Sequence, residues 1–120
     1  MSAAAKTIFY FAIYLAGLGL IFLIVPNTLL SIFKLPTTSE VWIRVIGMLV
    51  LMLAFYYWNA AKSDLITFIR WTVPARAVVI LFFTAFVLLK MAPPTLILFG
   101  VVDLLAALWT RQALPKMKKR

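Results

Sequence analysis

Three ionisable residues fall inside long apolar runs: Arg44, Arg76 and Asp103. Asp103 stands near the middle of TLILFGVVDLLAALWT, residues 95–110, a stretch apolar enough to cross a bilayer. A carboxylate in hydrocarbon costs roughly 2.5–3.5 kcal/mol on insertion scales, so something must compensate for it. At about 1.5 Å per helical residue, Asp103 lies close to the midplane of its span. Arg44 lies roughly 9 Å to one side of the middle of its own span, and Arg76 roughly 7 Å to the other side of the middle of its own. Arginine is long and forked, so either can reach a carboxylate. Either can also snorkel to its own interface.

Two uses of such a set follow. In the structural one, Asp103 is ionised and pairs with Arg44, Arg76 or both, locking the helices into one register. Asp103→Asn would then lower thermal stability, because breaking a buried pair costs ~3–5 kcal/mol. In the functional one, the cluster lines a cavity and holds a polar or anionic ligand group, the default reading of an ionisable residue within a membrane. Thr72, Arg76, Ile80 and Thr84 recur every four residues as a semi-polar stripe, and Gly100 accompanies Asp103 on a small-residue face. Tyr56 and Tyr57 are the candidates for an acid–base pair with Asp103, although both also suit an interfacial aromatic belt.

Other chemistries lack their residues. The chain has no cysteine and no histidine. Thiolate catalysis, disulfides, the commonest general base and the usual ligands of zinc, copper and haem are gone with them. No cofactor and no metal site is expected. The net charge of +9 would suggest nucleic acid in a soluble protein, but the aromatics lie mostly in the apolar runs and offer no stacking platform beside the basic tail.

The elements that must position these residues are membrane helices. Of 120 residues, 66% are hydrophobic and 12% charged, against about 45–50% and about 25% in soluble domains. The expected fold is all-α, a single transmembrane four-helix bundle over residues 1–120 with spans at about 7–25, 41–60, 73–91 and 94–110 and a basic tail at 111–120. The first run is too long for a signal-peptide core of about 7–15 residues, and no small-x-small site follows it. Short interfacial helices are expected between spans one and two, at 28–35 behind Pro26, and between spans two and three, at 61–71. Thr37 and Glu40 fit a capping box for span two, Ser63 can cap the second interfacial helix, and Pro74 suits the first turn of span three. Ala12, Ala16 and Gly19 share one face of span one, fit for tight packing within the protein or for a homodimer seam.

Four spans put both termini on one side. Lys6, Lys62, Arg70, Arg76, Arg111, Lys116, Lys118, Lys119 and Arg120 then lie at or near that side, and Lys34, Arg44 and Lys90 at the other. The positive-inside rule makes the first side cytoplasmic. The basic tail would meet anionic lipid headgroups there. Trp58, Trp71 and Trp109 fall at the same interface and Trp42 at the opposite one.

Pro26, Trp42-x-Arg44-x-x-Gly47, Tyr56-Tyr57, Thr72-Val73-x-x-Arg76 and Phe99-Gly100-Val101-Val102-Asp103 with Trp109-Thr110 resemble small bacterial four-span inner-membrane proteins of unassigned function, including DoxX-like ones. That resemblance implies a four-helix bundle in an inner membrane and carries over no catalytic residue. Small multidrug-resistance exporters resemble the chain in size only, since span one holds no acid between Thr7 and Val25. The function expected is non-enzymatic: a partner-binding subunit, or a binder of a lipophilic molecule. The alternatives are a proton-coupled exporter using Asp103 and an intramembrane lipid-modifying enzyme.

Overall fold

The computed structural model describes residues 1–115. They form α1 (Ala3–Ile24), α2 (Pro26–Ile32), α3 (Trp42–Lys62), α4 (Ile66–Ala77), α5 (Val79–Leu88) and α6 (Leu96–Ala113), with no strand among the described residues. The helix lapses only at Val78 between α4 and α5, and Ile66–Leu88 makes one apolar rod. With α1, α3 and α6 that gives four helices long and apolar enough to cross a membrane. Lys116, Lys118, Lys119 and Arg120, the part of the tail expected to meet headgroups, lie outside the described residues.

The helix starts differ from the expected ones for local reasons. α1 begins at Ala3, not Thr7, because Ser2 caps it: the Ser2 hydroxyl oxygen accepts from the Ala5 N–H at 3.1 Å. Thr37 does not cap α3, whose first helical residue is Trp42 and whose N-cap, Val41, makes no side-chain bond. Thr38 is used instead. Its hydroxyl accepts from the Glu40 N–H at 3.0 Å, while its own N–H donates to Asn27 Oδ1 at 2.9 Å. That ties the loop to α2, the short helix expected after Pro26.

The second interfacial helix does not exist as a separate element. Ser63 ends α3, Asp64 turns the chain, and Ile66 starts a helix that runs upright into span three. Burial explains it: Ile69 is fully buried in the core against α1 and α3, which a helix lying flat in an interface would not allow. Pro74 is therefore inside α4, with its ring exposed. Prolines are tolerated within membrane helices, where neighbouring groups satisfy the freed carbonyl.

Three helix ends share one device. Lys34, Asp64 and Lys90 have φ of 56°, 53° and 61°. The next N–H in each case reaches back to a carbonyl five residues earlier: Leu35 to Leu30, Leu65 to Ala60 and Met91 to Phe86. This is a Schellman end, made here by side chains that strain the left-handed region by roughly 1–2 kcal/mol. At Asp64 the corner is also held by the Ser2 hydroxyl, which donates to its Oδ1 at 2.6 Å. Arg70 donates to the Pro115 carbonyl at 3.1 Å. Both ends of the described chain and the α3–α4 corner thus share one end of the molecule.

The helices pack as two pairs. In the α1–α3 pair the backbones nearly touch: a Cβ on Gly47 would come within 2.7 Å of the Gly19 carbonyl oxygen and the Leu23 nitrogen. In the other, α6 lies on α4 and α5, with Gly100 against the backbone of Ile80. The small face of α1, Ala12 and Gly19, is filled by α3 and is not a free dimer seam. α1 joins the pairs through α6 and α4, while α5 has no substantial contact with α1 or α3 and no buried residue. The result is a slab, 49 by 29 by 18 Å, rather than a square bundle.

Gly47→Ala should lower the midpoint of unfolding in detergent by an amount equal to about 1–3 kcal/mol, the usual range for overpacking. Gly17 meets nothing within 4 Å, so Gly17→Ala should be neutral or stabilising by up to about 1 kcal/mol through helix propensity. Circular dichroism during an SDS titration would read both.

Candidate functional site

Arg76 is the most deeply enclosed charge among the described residues, with 4% of its surface exposed. Its Nε donates to the Thr72 carbonyl at 3.3 Å, one helical turn back. Its Nη2 donates to Thr72 Oγ1 at 3.0 Å and to Thr110 Oγ1 at 2.8 Å. The guanidinium carbon stands 4.8 Å from the centre of the Phe11 ring and 5.9 Å from that of Tyr57. Nη1 has no hydrogen-bond partner and is enclosed. The ring faces supply what a hydrogen bond would, since a desolvated cation over an aromatic face gains ~2 kcal/mol or more.

The protons of this layer have one consistent arrangement. Thr7 Oγ1 donates to the Ala4 carbonyl at 2.7 Å, so the 2.6 Å contact between Thr7 and Thr110 must be made with the Thr110 proton. Thr110 then accepts from Arg76. Thr72 donates to the Ile69 carbonyl at 2.6 Å and also accepts from Arg76. Each hydroxyl has a donor role and an acceptor role, and both are filled. Thr7 and Thr110 are 2% and 0% exposed, so the layer closes its end of the molecule.

Asp103 is not part of that layer. No carboxylate lies within 4.0 Å of an arginine or lysine nitrogen among the described residues, so the expected ion pair is not formed. Asp103 is half-buried and accepts no hydrogen bond among the described residues, yet its oxygens are not enclosed as Arg76 Nη1 is. The arginine has taken neutral acceptors and aromatic faces, and the carboxylate has been left open.

Arg44 does not join Arg76 and Asp103. It is exposed at the far end of α3, and its Nη1 donates to the Leu23 and Ile24 carbonyls at the C-terminus of α1. It lies one turn before Gly47 on the face that meets α1, so the last carbonyls of α1 are its nearest acceptors. A cation there also suits the helix dipole. Thr84 is half-buried on α5, away from the threonines that bond Arg76. Gly100 serves packing against Ile80. Tyr56 is 58% exposed, whereas Tyr57 is buried with its ring 5.9 Å from the Arg76 guanidinium carbon.

A groove of about 370 Å³ lies between α1 and α6, closed on one side by the α2 turn; Val102, one residue before Asp103, lines it, and Asp103 does not. Tyr14, Gly17 and Ile21 line it from α1, Phe33 from the end of α2, and Phe99 and Val102 from α6. Tyr14 carries the one polar side chain in the lining. Phe33 stacks on Phe99 with centroids 4.6 Å apart, which seats the α2 turn on α6. At the other end of the interface Thr7 bonds Thr110, and Tyr10 stacks on Trp109. α1 and α6 therefore meet at the terminal end and part towards α2.

No protein-family model, curated protein or solved structure matches the chain. The site must be read from its own geometry. Thr7, Phe11 and Tyr14 were not singled out by sequence as site residues, although they recur at helical spacing along α1 and two of them are polar within an apolar run. That spacing was the available signal.

With no ion pair to break, Asp103→Asn should change stability by less than about 1 kcal/mol, the opposite of what the paired reading requires. Arg76→Lys keeps a buried charge and loses the forked contacts, so it should cost roughly 1.5–3 kcal/mol. In a double-mutant cycle, Thr7→Val and Thr110→Val should be non-additive by about 0.5–3 kcal/mol, as expected within one hydrogen-bonded network. SDS-induced unfolding of the purified variants measures all of these.

Proposed function

We propose that this protein is a non-enzymatic multi-pass membrane protein that binds a lipophilic molecule in the groove between α1 and α6. The observation that carries the reading is the groove itself: about 370 Å³ of apolar wall with a single tyrosine hydroxyl. Binding sites for small molecules have this make-up, mostly apolar with a few placed polar groups. Its rim residues Ile13 and Leu98 are about half exposed, 49% and 53%. The groove is thus open at the side, where a membrane would present lipid. The small-residue faces that would suit a protein partner, around Gly19, Gly47 and Gly100, are already filled from within the chain.

The setting we propose is a bacterial inner membrane, with both termini cytoplasmic and a DoxX-like affiliation. The end that joins Ser2, Asp64 and Pro115 carries Lys6, Lys62, Arg70 and Arg111 beside it, which favours that side as cytoplasmic. A proton-coupled exporter draws support from the unpaired Asp103. It also needs water to reach Asp103 from both sides in turn, and the closed Arg76–Thr110–Thr7 layer opposes that from the terminal end. Of the two tyrosines that the sequence offers a lipid-modifying enzyme, Tyr56 is exposed and Tyr57 packs beside Arg76.

Gly17→Trp tests the binding reading, because the open space at Gly17 lets the indole fill the groove. The wild-type protein, purified in detergent and extracted with organic solvent, should yield a lipophile enriched over bulk lipid. Gly17→Trp should lose it while keeping its helical circular dichroism. The same extract from both proteins would refute the reading.

A further inference from the structure

The side of the groove towards α2 is closed by very little. α2 is seven residues long, and its three-and-four spacing divides it into two faces. Leu29, Leu30 and Phe33, the last just beyond the helix, make one face; Leu29 and Phe33 line the groove and Leu30 is buried. Asn27, Thr28 and Ser31 make the other, polar and exposed. A helix divided this way suits the boundary between an apolar interior and water. The groove is thus open to lipid past Ile13 and Leu98, and shut off by α2 from the interface opposite the termini.

The attachment of α2 is uneven. A single residue, Val25, separates it from α1, and its φ of −133° and ψ of 58° are not helical. Pro26 has no N–H to give an α1 carbonyl, and the Thr28 N–H reaches back only to Val25, at 3.2 Å. Asn27 Oδ1 accepts from the Thr38 N–H at 2.9 Å, which pins this end. The other end is closed on itself: Lys34 is left-handed, and the Leu35 N–H returns to the Leu30 carbonyl. Among the described residues, α1 is the only helix with which α2 has substantial contact. Towards α6, the free end is held by the Phe33 ring on the Phe99 ring. A pinned start, a self-contained helix and one aromatic pair make a hinge, a flap and a latch. Both rings of the latch line the groove, so releasing the latch opens the groove.

We propose that α2 is a lid on the groove, hinged at Val25–Pro26 and latched by Phe33 on Phe99, through which the groove exchanges its contents with the interface opposite the termini. Lipid meets the groove at its open side, and the lid gates its other side. This rests on the binding reading above only for what passes the lid.

The chain has no cysteine, so a single introduced thiol reports on one place. Val102→Cys puts it on the groove wall. Ile32→Cys puts it outside the lid, where Ile32 is 70% exposed. In phosphatidylcholine nanodiscs a charged methanethiosulfonate stays out of lipid and meets Val102→Cys only when α2 swings away. The rate of modification, followed by mass spectrometry of the intact protein, then follows the population of the open lid. Val102→Cys should react roughly tenfold or more slowly than Ile32→Cys, as a lid closed most of the time requires. Phe33→Ala should speed Val102→Cys by roughly two- to twelvefold, the range of one aromatic pair, and leave Ile32→Cys unchanged. Phe99→Ala breaks the same pair but leaves Phe33 in place, and should act in the same direction; Phe33→Tyr keeps the stack and should not. Equal rates at Val102→Cys with and without the latch, a rate there equal to that of Ile32→Cys, or no reaction in any folded variant overturns the lid. Helical circular dichroism shows that each variant is folded, and reaction in SDS shows that each thiol is competent. The lipophile extraction decides separately: bound lipophile with an inert Val102→Cys leaves binding without a lid, and a gated Val102→Cys with no lipophile leaves the lid without the binding reading.

Discussion

The structure depends on an arginine that cannot reach water. Arg76 is 4% exposed, and every span contributes to its accommodation. α1 and α3 present ring faces, those of Phe11 and Tyr57. α4 and α6 present hydroxyls, those of Thr72 and Thr110. A buried charge is strongly directional about what surrounds it, because any missing contact returns the desolvation cost. Four helices that share only apolar faces could slide against one another in lipid, where apolar burial gives no preference for protein over acyl chain. Arg76 removes that freedom at one level of the molecule.

The rest of the architecture is arranged around that level. The core residues Ala4, Ala5, Ile8, Ala60, Ala61 and Ile69 lie at the same end as the arginine, and most are small enough to let backbones converge on it. Beyond it the two helix pairs diverge, and α5 has nothing buried. The break at Val78 comes two residues after Arg76; beyond it, α5 packs on α6 and has no substantial contact with α1 or α3. The groove between α1 and α6 is the space left by this divergence, kept in shape by the Phe33–Phe99 stack. Between α1 and α6, contact at the end that holds the polar layer and a groove at the other end go together.

Much of this was legible in the sequence. The four long helices follow from apolar length alone, and in α3 the three-and-four spacing of Gly47, Leu51 and Ala54 puts them on one face, of which Gly47 and Ala54 are buried. Arg76 and Asp103 stood out because ionisable groups are rare in such runs. What sequence did not settle was the pairing. The sequence marks Thr72, on the Arg76 stripe, and Tyr57, but not Thr7, Thr110 or Phe11, since no single one of these is a conspicuous partner for a charge. Their joint effect needs the fold. Pro74 misled for a related reason: its preference for a first turn is a local rule, and the burial of Ile69 outweighs it. Arg44 shows the same thing from the other side. Its depth allowed a reach to Asp103, and the nearer carbonyls of Leu23 and Ile24 took it instead.

Separating the two charges has a consequence that pairing would not. A closed Arg–Asp bridge satisfies both partners and leaves nothing for a third. Here the cation is held by neutral groups, two threonine hydroxyls and two ring faces, and not by the carboxylate. The carboxylate keeps its oxygens open beside an apolar groove. The cation is enclosed, and the anion's oxygens are not.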